Sequence, residues 1–254
     1  MPSLKAHFLP KLTTPDELAE GVVVVIDVLR ATTVIVHALA AGARQVIPCL
    51  EVEDALQAAA HLPKGEAVLG GERGGLKIAG FDLGNSPDEF TPESVGGKTL
   101  VFTTTNGTRA MMACRQARRV FTGAFVNASA VVETLAGEDN VHLLCAGTRG
   151  EITREDVLCA GLLAEQLSRA QSSDLQVNDQ LLIARDAWRA FLVCEESANL
   201  STGLAVTLRS TQGGRNLIRL GLAHDIEVAS HIDRFPLVPQ LDLQKMVLSV
   251  GAVV

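Results

Sequence analysis

An acidic side chain at the end of a buried strand is the first residue in this sequence that could do chemistry. Asp27 directly follows the apolar run Val22–Ile26, and Arg30 comes three residues later. A carboxylate in that position needs a partner, because removing a charge from water costs free energy. Two interpretations stay open: a salt bridge from Asp27 to Arg30, or a hard divalent cation that Asp27 binds through oxygen. Further carboxylates that could complete such a cation site are Glu72, Asp82, Glu155 and Asp156.

A threonine-rich run at residues 103–109 has the composition of an anion-binding turn. Its sequence, Thr-Thr-Thr-Asn-Gly-Thr-Arg, joins a predicted strand to a predicted helix. Free amides at a helix start, the helix dipole and Arg109 together favour a bound anion. The same pattern is typical of an ordinary capped turn, in which Thr105 or Thr108 satisfies the first helical amides. The two interpretations are compatible, since a capped turn still presents amides to a ligand.

A third run, at residues 70–75, holds two strong charges between glycine pairs. Glu72 and Arg73 lie in the sequence Gly-Gly-Glu-Arg-Gly-Gly. The spacing is neither GxGxxG nor that of a P-loop, so it predicts neither of those nucleotide-binding turns. Glycines let a backbone approach a ligand closely, which favours a site element, and a flexible surface turn is the alternative. The stretch from Gly70 to Pro92 is rich in Gly, Asn, Asp and Pro, and a loop of that length is usually functional.

Composition and motif content exclude several classes of function. The formal net charge of −7 disfavours nucleic acid as the main partner, because phosphate backbones select basic surfaces. The five cysteines are scattered without a CxxC pair and predict reduced thiols rather than a zinc site. The serine-nucleophile motif GxSxG is absent, and so is a DxD motif after the first strand. Among the histidines, only His224 beside Asp225 stays a candidate for a site.

The apolar segments are too short for a membrane protein. No apolar run is longer than Val22–Ile26, and residues 1–12 contain no apolar core of the kind a signal peptide needs. We therefore expect a soluble, cytoplasmic protein with no membrane partner. A homodimer is expected from the Leu, Val and Ala content.

Alternating strands and helices must position the chemical residues. Apolar runs predict strands at 22–26, 45–49, 67–69, 99–103, 119–122 and 141–146. Amphipathic segments predict helices at 31–41, 51–61, 108–117, 127–135, 154–169 and 179–193. Glu155 and Asp156 would open the fifth helix, where acidic residues also complement the helix dipole. A polar stretch, Ser172–Asp174, separates the last two helices, and the final sixty residues carry no clear pattern.

This alternation predicts a single α/β domain over residues 1–254. The expected architecture is a three-layer α/β/α fold with a mixed or mainly parallel sheet. In such folds ligands bind beyond the carboxyl ends of the strands. The three runs described above, together with Gly147–Gly150, all follow predicted strands, so we expect them to form one site.

Three of these segments occur in the order seen in a known enzyme family. They are Val25–Thr33 (VIDVLRATT), Gly71–Pro87 (GERGGLKIAGFDLGNSP) and Thr103–Arg109 (TTTNGTR). Together they resemble the 2-phosphosulfolactate phosphatase (ComB) family, and the likeness continues through Cys145–Gly147, Glu155–Gly161, Gly213–Leu217 and Val238–Pro239. The resemblance implies a Mg²⁺-dependent phosphatase that releases phosphate from 2-phospho-3-sulfolactate, a step of coenzyme M biosynthesis.

The resemblance also implies roles for individual residues. The expected Mg²⁺ ligands are Asp27, Glu72 and Asp156. The expected catalytic residues are Asp27, Arg30, Glu72 and Arg109. The small anionic phosphorylated substrate would be bound by Thr32, Arg73, Asn85, Ser86, Thr105, Asn106, Gly107, Thr108, Arg149 and Arg215. Asp27 either attacks phosphorus or orients a water molecule. Two alternatives stay open: a phosphatase of another small phosphorylated hydroxy acid, and a non-catalytic protein that binds small organic anions.

Overall fold

The computed structural model describes residues 1–170, 175–195 and 199–251. Within these residues, eleven strands form one mixed, mostly parallel sheet. In chain order the strands are β1 Ser3–His7, β2 Val22–Ile26, β3 Gln45–Cys49, β4 Ala67–Arg73, β5 Leu76–Lys77, β6 Thr99–Thr103, β7 Arg119–Gly123, β8 Asn140–Cys145, β9 Gln176–Val177, β10 Gln240–Asp242 and β11 Val247–Ser249.

Helices cover both faces of the sheet and complete the predicted three-layer α/β/α architecture. In the described part of the chain they are α1 Pro15–Leu18, α2 Ala31–Ala40, α3 Val52–Ala60, α4 Pro92–Val95, α5 Gly107–Ala113, α6 Ala128–Thr134, α7 Arg154–Ala170, α8 Asp179–Cys194, α9 Leu200–Arg209, α10 Gln212–Arg219 and α11 His224–Ala229. Short 3₁₀ turns lie at Pro10–Leu12, Pro87–Glu89 and Phe125–Asn127. No helix in the ranges given above is both long and apolar enough to cross a bilayer.

Two parallel blocks of strands make up most of the sheet. The spatial order of the strands is β5-β4-β6-β3-β11-β10-β7-β2-β8-β1-β9. Strands β4, β6 and β3 pair in parallel, as do β7, β2, β8, β1 and β9. The hairpin of β10 and β11 lies between the blocks and is antiparallel to both of its neighbours. The hairpin therefore separates the two parallel blocks in the hydrogen-bonded order of the sheet.

Strand β2 shows why the run Val22–Ile26 has no polar alternation. Every residue in it is fully buried. Val22 and Val24 belong to the core that includes α6, α7 and α8, whereas Val23 and Val25 belong to the core that includes α2 and α5. A strand covered by helices on both faces has no solvent side, so its sequence is apolar throughout.

The structure corrects one predicted strand near the site. The strand predicted at 67–69 is β4, which continues to Arg73 because a tight turn at Gly74 and Gly75 leads into β5. Both turn glycines have positive φ angles, 65° and 87°, which suit a two-residue hairpin turn. Of the predicted surface turn, residues 71–73 therefore belong to a strand, and only Gly74 and Gly75 form the turn. Glu72 lies inside a paired strand, which fixes its backbone.

The described residues of the C-terminal region, where the sequence shows no clear pattern, form helices α9, α10 and α11 and the central hairpin. The side chains of Asn199 and Thr211 cap α9 and α10. Leu208 and Leu217 from these helices join the same core as α7. The predicted polar stretch Ser172–Asp174 lies outside the described residues.

Candidate active site

Segments at the ends of four strands line one pocket of about 150 Å³. It is lined by segments at the ends of β2, β4, β6 and β8, and helix α10 forms its other side. Because these strands belong to both blocks, the pocket lies where the carboxyl ends of the two blocks meet. Of the predicted site residues, those that line the pocket are Asp27, Arg30, Glu72, Asn85, Thr105, Asn106 and Arg149.

Two sides of this pocket differ in character. Asp27, Arg30 and Glu72 are buried, and we call them the deep wall. Arg149, Asn216 and Arg219 lie closer to solvent, and we call them the outer wall. The remaining lining residues are Leu29, Gly74, Gly75, Asn85, Thr104, Thr105, Asn106, Thr148, Gly213, Leu217 and Leu220.

Asp27 is the carboxylate of the deep wall that follows β2. Its Oδ1 accepts a hydrogen bond from the Ala31 amide at 3.2 Å. Its Oδ2 faces Gly107, where a Cβ atom would come within 2.9 Å of that oxygen, so only glycine leaves this approach open. Burial raises the pKa of Asp27 to about 7, and the negative charges of Glu72 and Glu155 add to the rise. The site therefore favours a cation or a proton beside this carboxylate.

Glu72 is the second carboxylate of the deep wall and is held rigidly. Its Oε1 accepts hydrogen bonds from the amide and the hydroxyl of Thr105, both at 2.9 Å. Its Oε2 accepts a hydrogen bond from the Gly75 amide at 2.6 Å. A carboxylate has about four acceptor positions, so roughly one remains for a ligand. Glu72 thus connects the β4 hairpin to the turn after β6 and still presents an oxygen to the pocket.

Arg30 supplies the positive charge of the deep wall. It forms an ion pair with Asp225 at 2.6 Å, with both side chains buried, so the predicted salt bridge from Asp27 to Arg30 is wrong. The same guanidinium donates hydrogen bonds to Ser86 Oγ at 3.4 Å and to the Gly75 carbonyl at 2.8 Å. The Leu29–Arg30 peptide bond is cis. These contacts fix the guanidinium at the pocket wall.

The turn at residues 103–109 is capped and also presents free amides. Thr104 and Thr108 exchange backbone-to-hydroxyl hydrogen bonds of 3.4 Å in both directions. The Thr105 amide is bound to Glu72. The amides of Asn106 and Gly107 have no hydrogen-bond partner among the described residues. Thr104, and not the predicted Thr105 or Thr108, therefore accepts a hydrogen bond from a first-turn amide of α5, and anion binding by the two free amides stays a prediction.

Behind the pocket lie two further buried carboxylates, Asp156 and Glu155. Asp156 accepts hydrogen bonds from the amides of Val28 at 2.9 Å and Gly147 at 3.0 Å, one on each oxygen. Burial raises the pKa of Asp156 well above its usual value, and the nearby charges of Asp27 and Glu155 add to that rise. Asp156 does not line the pocket. Its contacts join the ends of β2 and β8, which positions Asp27.

Several predicted binding residues hold the scaffold instead of lining the pocket. Thr32 Oγ1 accepts from the Asp27 amide at 3.0 Å and donates to the Asp27 carbonyl at 2.9 Å. Arg73 donates to the carbonyls of Glu72 and Leu50 and to Thr103 Oγ1. Ser86 donates to Asp225 at 2.9 Å. These residues act on the pocket through Asp27, Glu72 and Arg30.

The remaining predicted residues lie away from the pocket. Arg109 and Asp82 are exposed and do not line it. Arg215 is exposed and donates a hydrogen bond to the Ser210 carbonyl. His224 pairs with Asp88 at 2.9 Å on the surface, and it is Asp225, its neighbour, that reaches the site through Arg30.

The deep wall has the oxygen donors that Mg²⁺ prefers. Asp27 and Glu72 line the same pocket. The buried Asn85 Oδ1, which has no hydrogen-bond partner within the described ranges, belongs to another residue of that lining. Mg²⁺ is usually bound by one or two carboxylates, with water and substrate oxygens as its other ligands. Among the described residues, no group of three or more His, Cys, Asp or Glu side chains is arranged around a metal position. The residues therefore fit a Mg²⁺ ion that keeps several water ligands.

Sequence reasoning named the segment Gly213–Leu217 but missed that it belongs to helix α10 and which of its residues line the pocket. Gly213, Asn216, Leu217 and Leu220 line the pocket, with Arg219 beside them. Their spacing of three, four and seven residues places them on one helical face. The spacing can be read from the sequence. Because the sequence pattern predicted no helix there, it could not show that these residues share one helical face. Arg215, on the same helix, is exposed and does not line the pocket.

Comparisons with known proteins cover this whole site. A family model described as 2-phosphosulpholactate phosphatase matches residues 7–244. A protein of Symbiobacterium thermophilum named probable 2-phosphosulfolactate phosphatase is 39% identical over 234 residues, which are 92% of this chain and 96% of that protein. Proteins of the same name are 39% identical over 230 residues in Caldanaerobacter subterraneus subsp. tengcongensis, with 89% of each chain covered, and 37% identical over 235 residues in Clostridium beijerinckii, with 90% and 94% covered. The matched range includes every segment that lines the pocket.

Proposed function

Because this chain belongs to the 2-phosphosulpholactate phosphatase family and is a phosphoric monoester hydrolase, we propose that it hydrolyses 2-phospho-3-sulfolactate to 3-sulfolactate and inorganic phosphate. The observation that carries the proposal is the deep wall, where Asp27, Glu72 and Arg30 meet in one pocket. Carboxylates that can hold a cation, beside a fixed guanidinium, match the needs of phosphoryl transfer, which depends mainly on positioning and charge neutralisation.

We propose Mg²⁺ as the cofactor of this reaction. Asp27, Glu72 and the Asn85 amide oxygen would hold it, because they are the oxygen donors that the pocket leaves available. When bound, Mg²⁺ supplies positive charge that neutralises phosphate oxygens. The buried Asp27 carboxylate, with its raised pKa, favours a cation at this position.

The residues around the carboxylates would bind and orient the phosphate. The free amides of Asn106 and Gly107 donate hydrogen bonds to its oxygens. A guanidinium has five N–H donors, and Asp225, Ser86 and Gly75 occupy three of those of Arg30, so about two remain for the substrate. Asp27 then either attacks phosphorus or orients the attacking water. If Asp27 attacks, the phosphoryl group would pass from the C2 oxygen to the Asp27 carboxylate, and water would then release it as phosphate; if Asp27 orients water, the water oxygen would bond to phosphorus directly. In both cases the bond between phosphorus and the C2 oxygen breaks, and that oxygen takes up a proton to become the hydroxyl of 3-sulfolactate.

The proposal includes the biological setting that the family resemblance implies. The reaction would be a coenzyme M-type biosynthetic step in the cytoplasm, carried out by a homodimer. Light scattering on the purified protein measures the oligomeric state, and a mass of one chain would contradict the dimer.

The test of the proposed function is phosphate release from two substrates, each with Mg²⁺ and with EDTA. We expect Mg²⁺-dependent release from 2-phosphosulfolactate and slower release from phospholactate, which lacks the sulfonate. Equal release from both would assign the enzyme to another small phosphorylated hydroxy acid. Binding without release from either substrate would indicate a non-catalytic anion-binding protein, and full activity in EDTA would remove Mg²⁺ from the proposal.

A further inference from the structure

Helix α10, which carries part of the outer wall, is held in a fixed position beside the pocket. At its start, the Gly213 amide donates a hydrogen bond of 3.0 Å to the buried Glu155 Oε1. Thr211 caps the helix by accepting a hydrogen bond from the Gly214 amide at 3.2 Å. Leu217 is buried in the core beneath the helix. These contacts fix the position from which Asn216 and Arg219 reach the pocket.

Two arginines of this outer wall have no partner for their charge in the part of the chain that the structure describes. Arg149 follows β8, and Arg219 ends α10, so two separate elements bring them to the same pocket. Neither guanidinium forms an ion pair or a hydrogen bond with any residue in the described ranges. Arg30, by contrast, is neutralised by Asp225. The outer wall therefore carries uncompensated positive charge that the deep wall does not.

The charge distribution suggests how a substrate with three anionic groups would lie in the pocket. The phosphate belongs at the deep wall, beside Asp27 and Glu72. The two donors that Arg30 still has also lie at the deep wall, so they serve the phosphate and the adjacent carboxylate and leave the sulfonate to be bound elsewhere. A sulfonate is tetrahedral with three oxygens, and it is suited by donors that converge from different directions. Arg149 and Arg219, with the Asn216 amide, offer such donors from two elements.

We propose that Arg149, Asn216 and Arg219 form a second anion-binding subsite, which receives the sulfonate of the substrate. The inference rests on the proposed function and deepens it by assigning substrate specificity to the outer wall. Arg219 is then a specificity-determining residue, although the sequence motif pointed to Arg215, four residues earlier on the same helix. The subsite discriminates 2-phosphosulfolactate from phospholactate, which has a methyl group where the sulfonated substrate has a sulfomethyl group.

Steady-state kinetics of Arg219→Ala on 2-phosphosulfolactate and phospholactate test the subsite. We expect kcat/KM on the sulfonated substrate to fall by about 10- to 100-fold, mainly through KM, since a charged hydrogen bond is lost. On phospholactate the variant should stay within about twofold of the wild type, because no sulfonate is present to be bound. Arg115→Ala is the matched control, since Arg115 is exposed and does not line the pocket.

Calorimetric binding of 3-sulfolactate and lactate gives a second readout that does not need turnover. We expect Arg219→Ala to weaken the binding of 3-sulfolactate and to leave that of lactate unchanged. Equal losses on sulfonated and unsulfonated compounds, or no loss on either, would overturn the proposal. So would a sulfonate-specific loss in Arg215→Ala with none in Arg219→Ala. A wild-type protein that releases no phosphate would refute the proposed function, while the binding data would still decide the subsite.

Discussion

The two walls of the pocket differ in whether their charged side chains are held by neighbouring groups. In the deep wall each charged group is held by neighbours: Asp27 by the Ala31 amide, Glu72 by Thr105 and Gly75, and Arg30 by Asp225. In the outer wall Arg149 and Arg219 lie near solvent without such partners among the described residues. Fixed charges suit the stabilisation of a transition state, because they need no rearrangement during the reaction. Unpaired charges suit the recognition of a substrate group, which supplies the missing partner.

The largest expected effect is on the deep wall. Asp27→Asn should lower kcat for phosphate release by about 10²- to 10³-fold, the usual cost of removing one charge-stabilising group. The substitution keeps the size of the side chain but removes the negative charge that would hold a cation. Measurement of kcat with saturating Mg²⁺ checks this. Asp186→Asn is the control, because Asp186 is exposed on α8, and a similar loss there would contradict the assignment.

An intermediate effect is expected at the ion pair between Arg30 of the deep wall and Asp225 of helix α11. Asp225→Asn should destabilise the protein by about 3 to 5 kcal/mol, because it leaves the buried Arg30 charge without its partner. It should also raise KM by about tenfold, since Arg30 loses its fixed position, and tenfold corresponds to about 1.4 kcal/mol. Urea unfolding and steady-state kinetics measure the two effects.

Ser86→Ala provides the graded comparison for that prediction. Ser86 contacts the same Arg30 guanidinium at 3.4 Å and Asp225 at 2.9 Å, but it carries no charge. Its removal should cost only about 1 kcal/mol of stability. Equal losses in the two variants would show that the ion pair does not position Arg30.

The smallest effect on kinetics is expected at Glu155, which holds the start of α10 through the Gly213 amide. Glu155→Gln retains an oxygen that can accept the Gly213 hydrogen bond, so KM should stay within about twofold of the wild type. Glu155→Ala removes the acceptor and should raise KM several-fold on 2-phosphosulfolactate and less on phospholactate, because α10 shifts. Kinetics on both substrates measure this difference. If Glu155→Ala lowered kcat by a larger factor than it raised KM, Glu155 would act on the deep wall instead.

The two walls also differ in how well the sequence predicts them. β2, β3 and β6 occur at the predicted residues, because continuous apolar runs are local signals. The deep-wall residues follow or end such strands, so Asp27, Arg30 and Glu72 could be predicted as a group. The ion-pair partner of Arg30 could not, since Asp225 is 195 residues away in the chain.

The outer wall and the central hairpin depend on contacts that are distant in sequence. Helix α10 begins with Gln212, Gly213 and Gly214, which gives weak helical propensity, so its helical form depends on the Thr211 cap and on packing. Without an assigned helix, Arg215 and Arg219 could not be distinguished. Strands β10 and β11 have three residues each and pair with β7 and β3, a placement that no local pattern indicates.

The most direct test of the division between the two walls is a pair of Michaelis–Menten curves on 2-phosphosulfolactate, one for Asp27→Asn and one for Arg219→Ala, each against the wild type. The account predicts that Asp27→Asn lowers kcat and that Arg219→Ala raises KM while kcat stays nearly constant. If both substitutions changed the same parameter to the same extent, the separation into a catalytic deep wall and a recognising outer wall would be contradicted.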